Sequence, residues 1–589
     1  AVKAGVTSVH LEEPEFWARG GYSEGFKKEW QDYYGEPWQP PHSSPEATWR
    51  SSKLKYHLYF RTLEYVFKEA KQFSESLGRR VPCYVPTHSL LNYSTWAIVS
   101  PESSLADLEG MDGYIGQVWT GTSRTPTLYN GVRKERTFEN AFLEYGSLVG
   151  MTRPTGRRVY FLTDPIEDNP DHTWEDYKLN YECTFVAQLL RPEVCYYEVM
   201  PWPSRIFTGQ YASEKTGSKE RIPSWYATEI LTLINALNNM NQTEVSWNGG
   251  TQGIGVLVSD TLMFQRFPTH QDDFDRTMAD WYGLALPLVK HGIPLDVVQL
   301  ENLKHPSSTE GVSVLLLSYQ AMKPPLPEPH EYLAEWVQAG GALLYTGRDD
   351  DPYQTIREWW NQDGQTYHRP SEHLFELLGL GRKPKDGLHR CGKGWLHLLR
   401  ENPRAIATDK EKAEGLRKVT QDLFQRANPN GNWRETNTIE LYRGPYRIAG
   451  VMDESVSAEP YRFAGRFIDL FDPEMGILNE VTLQPGSRGF YLDLDRVSDE
   501  PPTVLATANR LEWSRSDVET FEFLAKGPEG TRAATRVLLR ERPKVVRVVD
   551  PNSGNNLEFE QSWDETSKTL LLRYDNHPDG VQAVIGQMK

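Results

Sequence analysis

The chain has 589 residues, 38% hydrophobic, 25% charged and 12% aromatic, with 18 Trp and 29 Tyr. Its 64 basic and 81 acidic side chains leave a formal charge of −17, which speaks against a nucleic-acid partner, since phosphate neutralisation needs clustered Lys and Arg. No apolar run approaches the roughly 20 residues that span a bilayer, so no membrane partner is expected, and the length suffices for three or four domains.

The first residue is Ala, and "AVKAG" reads as the tail of a helix closed by Gly5. The expectation is a fragment whose earlier part, with any signal peptide, lies upstream, which leaves the compartment unassigned. Val6 to Leu11 has the β-branching and alternation of a strand. The strand stops at Glu12 and Glu13, because Pro14 cannot extend a ladder. A helix follows over Lys53 to Leu77, with apolar residues at spacings of three and four. Strands are expected at 79–89 and 111–119, a helix at 137–150, a strand at 156–165, a helix at 176–190 and a strand at 193–203.

Strand and helix alternating with short connections signals a parallel sheet with crossover helices. Each of the five strands ends in polar or aromatic residues: Glu12 and Glu13; His88; Gln117 and Trp119; Asp164; Glu198 and Trp202. In a (β/α)8 TIM barrel, the carboxyl ends of all strands converge on one face that carries the site. Five units do not close such a barrel, so its N-terminal strands are expected to be missing. A doubly wound sheet would carry a glycine-rich phosphate loop after its first strand, and the glutamates stand there instead.

From 253 to 260, 293 to 300, 312 to 319 and 341 to 347 run short apolar strands, with a helix over 329–341. This part suits a flavodoxin-like or amidotransferase-like α/β sandwich. An amidotransferase needs a nucleophilic cysteine on a strand-to-helix turn. Ser318 and Tyr319 stand there, so a structural or oligomerisation role is expected. From about 430 onward, alternating strands with turn signals predict one or two β-sandwich modules. The expected domains are therefore 1–245, the barrel part; 252–425, the α/β domain; and 430–589, the β-sandwich.

Cys83, Cys183, Cys195 and Cys391 form no CxxC pair and have no zinc-site spacing. They are read as free thiols, and neither a metal nor an organic cofactor is expected. "GRDDDPY" at 347–353 has the look of a cation-binding turn but reads as a solvated loop.

Glycoside hydrolysis needs two carboxyl groups flanking the scissile bond, one to protonate the leaving oxygen and one to attack carbon or activate water. Glu13, Asp164 and Glu198 end three of the expected strands. With them, "Glu12-Glu13-Pro14" resembles the Asn-Glu-Pro motif of the retaining (β/α)8 glycoside hydrolases, whose acid/base follows barrel strand four and whose nucleophile follows strand seven. The resemblance implies that Glu13 is the general acid/base and that Asp164, three strands on, is the nucleophile or base. Because that family has a glutamate at the latter position, Glu167 and Glu198 remain alternatives. The order of barrel, α/β domain and β-sandwich is similar to glycoside hydrolase family 42 β-galactosidases, whose middle domain mediates trimer formation. This implies a glycoside substrate and a homo-oligomer through the middle domain.

Like charges in a cleft raise one pKa, so one of Glu12 and Glu13 is expected to stay protonated near neutrality. Trp119 and Trp202 would form a stacking platform, while Gln117, His88 and Tyr93 would bind sugar hydroxyls. The rival reading is a catalytically inactive barrel acting as a carbohydrate-binding or assembly module. A lyase or amidase using the same carboxylates is a third.

Overall fold

The computed structural model describes residues 2–166, 171–200, 202–266, 275–517 and 519–586. They fall into two compact units. The first comprises Ala1–Thr163, Gly249–Asn437 and Glu454–Val456, and the second Asp164–Asn248, Thr438–Asp453 and Ser457–Lys589. A unit boundary thus lies within 1–245, between Thr163 and Asp164.

In the first unit, β1 (Val9–His10), β2 (Cys83–His88), β3 (Gly113–Gln117) and β4 (Arg158–Thr163) lie side by side in chain order, all parallel. Between β1 and β2 runs a 32-residue helix, Pro45–Ser76, which starts earlier than its apolar periodicity suggests. Ser44 caps it by accepting from the Ala47 N–H, and Pro45 occupies the first turn, where a missing N–H costs nothing. The interior strands β2 and β3 are almost wholly buried, as expected when helices cover both faces of a parallel sheet. Gly113 is required by this packing, since a Cβ there would lie 2.2 Å from the Arg158 carbonyl oxygen on β4.

A second sheet in the same unit is built from β5 (Ile254–Val258), β6 (Asp296–Gln299), β7 (Val314–Leu317), β8 (Ala342–Thr346), β9 (Gly387–Cys391) and β10 (Gly394–Leu399). Its order is β6-β5-β7-β8-β10-β9; all neighbours are parallel except the antiparallel edge pair β9–β10. The helix Thr137–Thr152 of the first sheet packs against β6. Gly150 permits this, because a Cβ would lie 2.0 Å from the Val297 carbonyl oxygen. Asn302 Nδ2 closes the joint by donating to the Met151 carbonyl at 2.9 Å.

The second unit holds the helices Trp174–Leu189 and Ser224–Leu237 and the strand Tyr196–Val199. It also contains a six-stranded antiparallel sheet and two four-stranded antiparallel sheets. The two smaller sheets share one apolar core, in which Phe523, Val548 and Ala583 of one meet Val537, Leu572 and Tyr574 of the other. Inward side chains alternate along each strand, which is how facing sheets fill the space between them. No disulfide joins the four cysteines; Cys83, Cys183 and Cys391 are buried and Cys195 half-buried. No helix of the described residues is long and apolar enough to cross a membrane.

Candidate active site

The chain leaving β1 keeps to the ladder of β2: the Leu11 N–H donates to the Tyr84 carbonyl and the Glu13 N–H to the Pro86 carbonyl, at 3.1 and 2.9 Å. Glu12 and Glu13 are therefore carried to the carboxyl end of the sheet. Glu13 then takes φ 51°, a left-handed conformation that costs a non-glycine residue of order 1 kcal/mol or more. The chain reverses through Pro14, and the Glu15 N–H closes on the Glu13 carbonyl at 2.7 Å. This tight turn brings a third carboxylate, Glu15, back to the first two.

His88 ends β2, buried to 3% exposure, with Nε2 3.3 Å from Glu13 Oε1. One donor atom each of Glu13, Glu15 and His88 lies within 4.8 Å of the others. Tyr93, Trp96 and Trp119 surround the imidazole with ring centroids 5.7, 5.4 and 6.3 Å away. From the end of β3, Gln117 Nε2 donates to Glu12 Oε1 at 3.0 Å and Gln117 Oε1 accepts from Trp119 Nε1–H at 2.9 Å. Three adjacent strand ends thus feed one cluster.

Two carboxyls of the cluster are displaced in opposite directions. The hydrogen bond from His88 holds the Glu13 carboxyl below its ordinary value, outweighing burial, and the charge on His88 adds to the effect. The group pushed up is Glu15, to about 7, first by burial and then by the charge on Glu13, with a hydrogen bond from Tyr93 opposing. The proton belongs to Glu15 because the turn folds it inward, whereas the Glu13 side chain remains 41% exposed.

Two residues expected to contact sugar make hydrogen bonds within the protein. Tyr93 is fully buried: its hydroxyl accepts from the His88 backbone N–H at 3.2 Å and bonds Thr87 Oγ1 at 3.1 Å, so it supports His88 from beneath. Gln117 is buried and its amide is used at both ends, so it positions Glu12 and the Trp119 indole. Trp119 is half-buried. Below Thr87 lies Glu102, fully buried and pushed up to about 8 by burial, which accepts from Thr87 Oγ1 and Ser100 Oγ, both at 2.7 Å.

Of the remaining expected residues, Asp164, Glu198 and Trp202 lie in the second unit. Asp164 is 2% exposed and its Oδ1 accepts from the Ile166 N–H at 2.8 Å, the turn-forming use of an aspartate. Glu198 is half-buried on its strand, Trp202 is 57% exposed, and Glu167 lies outside the described residues. Sequence reasoning missed Glu15 and Trp96. The Glu-x-Pro-Glu spacing after a strand was the available signal for Glu15, and Trp96 gave none beyond closing the short helix Leu90–Trp96 that follows β2.

Glu13, Glu15 and His88 are the one group among the described residues with donor spacing suited to a cation. A metal held on Nε2 leaves the opposite ring N–H needing an acceptor, and the buried Nδ1 has no partner. The trio therefore lacks the supporting shell of a resident metal centre.

No family model matches the chain, and no curated protein sequence matches it. It is similar to solved β-galactosidases. That of Halorubrum lacusprofundi is 10% identical with a TM-score of 0.48, over 79% of this chain and 73% of that one. That of Marinomonas ef1 is 12% identical with a TM-score of 0.45, over 80% and 74%. That of Bacillus circulans sp. alkalophilus is 10% identical with a TM-score of 0.44, over 80% and 74%.

Proposed function

We propose that the chain hydrolyses glycosidic bonds of an oligo- or polysaccharide or simple glycoside, with its parallel strands forming part of a (β/α)8 barrel. The observation that supports this reading best is the Glu13–Glu15 pair: two carboxyls a turn apart, one held ionised and one holding a proton near neutrality. General acid catalysis at neutral pH requires a raised carboxyl poised beside the leaving oxygen. Glu13 is the partly exposed member that reaches a ligand, and Glu15 is the proton store behind it. The charge on Glu13 adds to burial in raising Glu15. Glu12, fixed by Gln117, adds negative potential that favours an oxocarbenium-like transition state.

In this reading, Trp96 and Trp119 give the sugar an apolar wall, with Trp202 as a further platform. Asp164 is the nucleophile or base, with Glu198 and Glu167 as alternatives. The middle residues 252–425, the α/β part, serve oligomer formation, and 430–589 form the β-sandwich part.

A panel of aryl glycosides tests the reading. The wild-type chain should turn over at least one. Glu13→Gln and Glu15→Gln should each lose about 10²–10⁴-fold on a poor leaving group and less on dinitrophenyl substrates, which need no acid. Unchanged turnover in Glu13→Gln removes that residue from the mechanism. The second reading, an inactive carbohydrate-binding module, is favoured by the commitment of Gln117, Tyr93 and His88 to bonds inside the protein. It predicts saccharide binding without turnover on any member of the panel.

A further inference from the structure

In open parallel sheets, ligands bind outside the carboxyl ends of the strands where the strand order reverses. The second sheet of the first unit reverses at β5, which has β6 on one side and β7 on the other. A cavity of about 510 Å³ lies there, lined by residues following all three strands: Asp260 after β5, Glu301 after β6 and Pro325 after β7. The volume is within the usual range for small-molecule sites, about 300–1,000 Å³. The helix Pro45–Ser76 supplies Tyr56 and Phe60 to the wall, and the helix Glu328–Ala339 supplies Tyr332. Phe264 and Leu326 extend the apolar surface. Tyr332, 38% exposed, packs on no other ring among the described residues, so its face is open to a ligand.

Charge and hydrogen bonding narrow the occupant. The two lysines of the lining, Lys53 and Lys304, are ion-paired, to Glu358 at 2.8 Å and to Asp107. Burial lowers His57, so it adds no positive charge near pH 7. Asp260, pushed up to about 6 by burial, is ionised there, while Glu301, pushed up to about 8 by burial and then by the charge on Asp260, keeps its proton. Glu328 stands exposed at the rim with no ion-pair partner among the described residues. The excess charge is therefore negative, which opposes a phosphorylated ligand.

The oxygens that carry this charge are already used. Asp260 Oδ2 accepts from the Ser103 N–H, Ser103 Oγ and Tyr56 Oη at 2.6–2.8 Å, and Oδ1 accepts from Gln299 at 3.2 Å. Glu301 Oε1 accepts from Ser259 Oγ and the Asp260 N–H, and Oε2 from Gln299. A metal ion or a primary ammonium needs free oxygens. A quaternary ammonium needs none, because charge and aromatic ring faces hold it. An uncharged ligand is disfavoured for the opposite reason: expelling water from the crevice without supplying positive charge leaves the Asp260 carboxylate poorly solvated.

We infer that this crevice binds a small molecule carrying a quaternary ammonium group, with the cation between the Asp260 carboxylate and the Tyr332 ring and the apolar remainder along Phe60 and Leu326. The inference goes beyond the hydrolase reading and does not depend on turnover.

The test is calorimetric titration of the full chain with choline, with its uncharged isostere bearing a tert-butyl group in place of trimethylammonium, and with ethanolamine. Choline should bind saturably, and tighter than either of the others by about tenfold or more. Tyr332→Ala should weaken choline binding about three- to thirtyfold and Asp260→Asn about tenfold or more, whereas Glu13→Gln should leave it within about twofold. Truncating the half-exposed Tyr332 spares the core, so that variant decides the matter where Asp260→Asn fails to fold. Binding of the isostere or of ethanolamine as tight as that of choline, or no saturable binding of choline, overturns the inference. So does loss in Glu13→Gln with retention in Tyr332→Ala, which assigns the binding to the acidic cluster. Choline binding that depends on Tyr332 in a chain without glycosidase activity sinks only the hydrolase reading.

Discussion

Glu13 and Glu15 are two residues apart and carry opposite protonation tendencies, because a left-handed residue and a proline fold one carboxyl inward and leave the other beside His88. Replacing His88 with Leu removes the hydrogen bond that holds Glu13 low. The Glu13 pKa should then rise, and the limb of the pH–rate profile that reports Glu13 should move to higher pH. An unmoved limb would dissociate His88 from the ionisation that limits the rate. Glu12, Glu13 and His88 were legible as a group in the sequence, since each ends a strand and parallel strands deliver their ends to one side. Glu15 was not, because its burial depends on a turn that only the fold shows. Tyr93 and Gln117 were legible as residues of this corner but not as supports, since hydrogen-bond direction and burial do not register in a strand pattern.

Among the elements, the long helix and the Gly150 joint place the parallel strands. Ser44→Ala should cost about 1 kcal/mol through loss of its cap, read as a lower urea midpoint. Gly150→Ala should cost about 1–3 kcal/mol, the range for overpacking, because the obstacle is the backbone carbonyl of Val297 and not a movable side-chain tip. A variant as stable as wild type would show that the helix Thr137–Thr152 can shift along β6. The strands at 79–89, 111–119, 156–165, 253–260, 293–300, 312–319 and 341–347 were legible from apolar period, whereas the edge pair Gly387–Cys391 and Gly394–Leu399 was not. The early start of the long helix was less legible, because its first turns, "PEATWRSS", bury Ala47, Thr48, Trp49, Arg50, Ser51 and Ser52 against their surroundings instead of following an amphipathic stripe. Arg50 is buried there by pairing with Glu36 at 2.9 Å and by lying over the Tyr34 ring, 4.0 Å from its centroid.

Across the whole molecule, buried acids set the response to pH. Burial pushes Glu102, Glu144 and Glu301 each up to about 8 from 4.5. A raised carboxyl binds its proton more tightly when folded, so its stability is fully present below the unfolded pKa and is lost as pH rises through the folded one. Each such group removes about 1.4 kcal/mol per pH unit across that window. Urea unfolding should show the protein more stable near pH 5 than near pH 8. Glu144→Gln, which keeps the shape and can still accept from Ser123 Oγ, should flatten the decline. A variant with the wild-type slope would exclude Glu144 from it.

By itself the sequence determined the kinds of layer in this protein: parallel strands with crossover helices first, a second buried parallel sheet next, and antiparallel sheets toward the end. Period, proline and glycine are local properties, and they fix which face of each element is apolar. The tertiary structure alone decided which carboxyl keeps a proton, which polar residues spend their hydrogen bonds inside the protein, and that a crevice opens where the second sheet reverses its strand order. Each of those depends on water excluded by segments far apart in the chain, and desolvation is a property of the assembled neighbourhood.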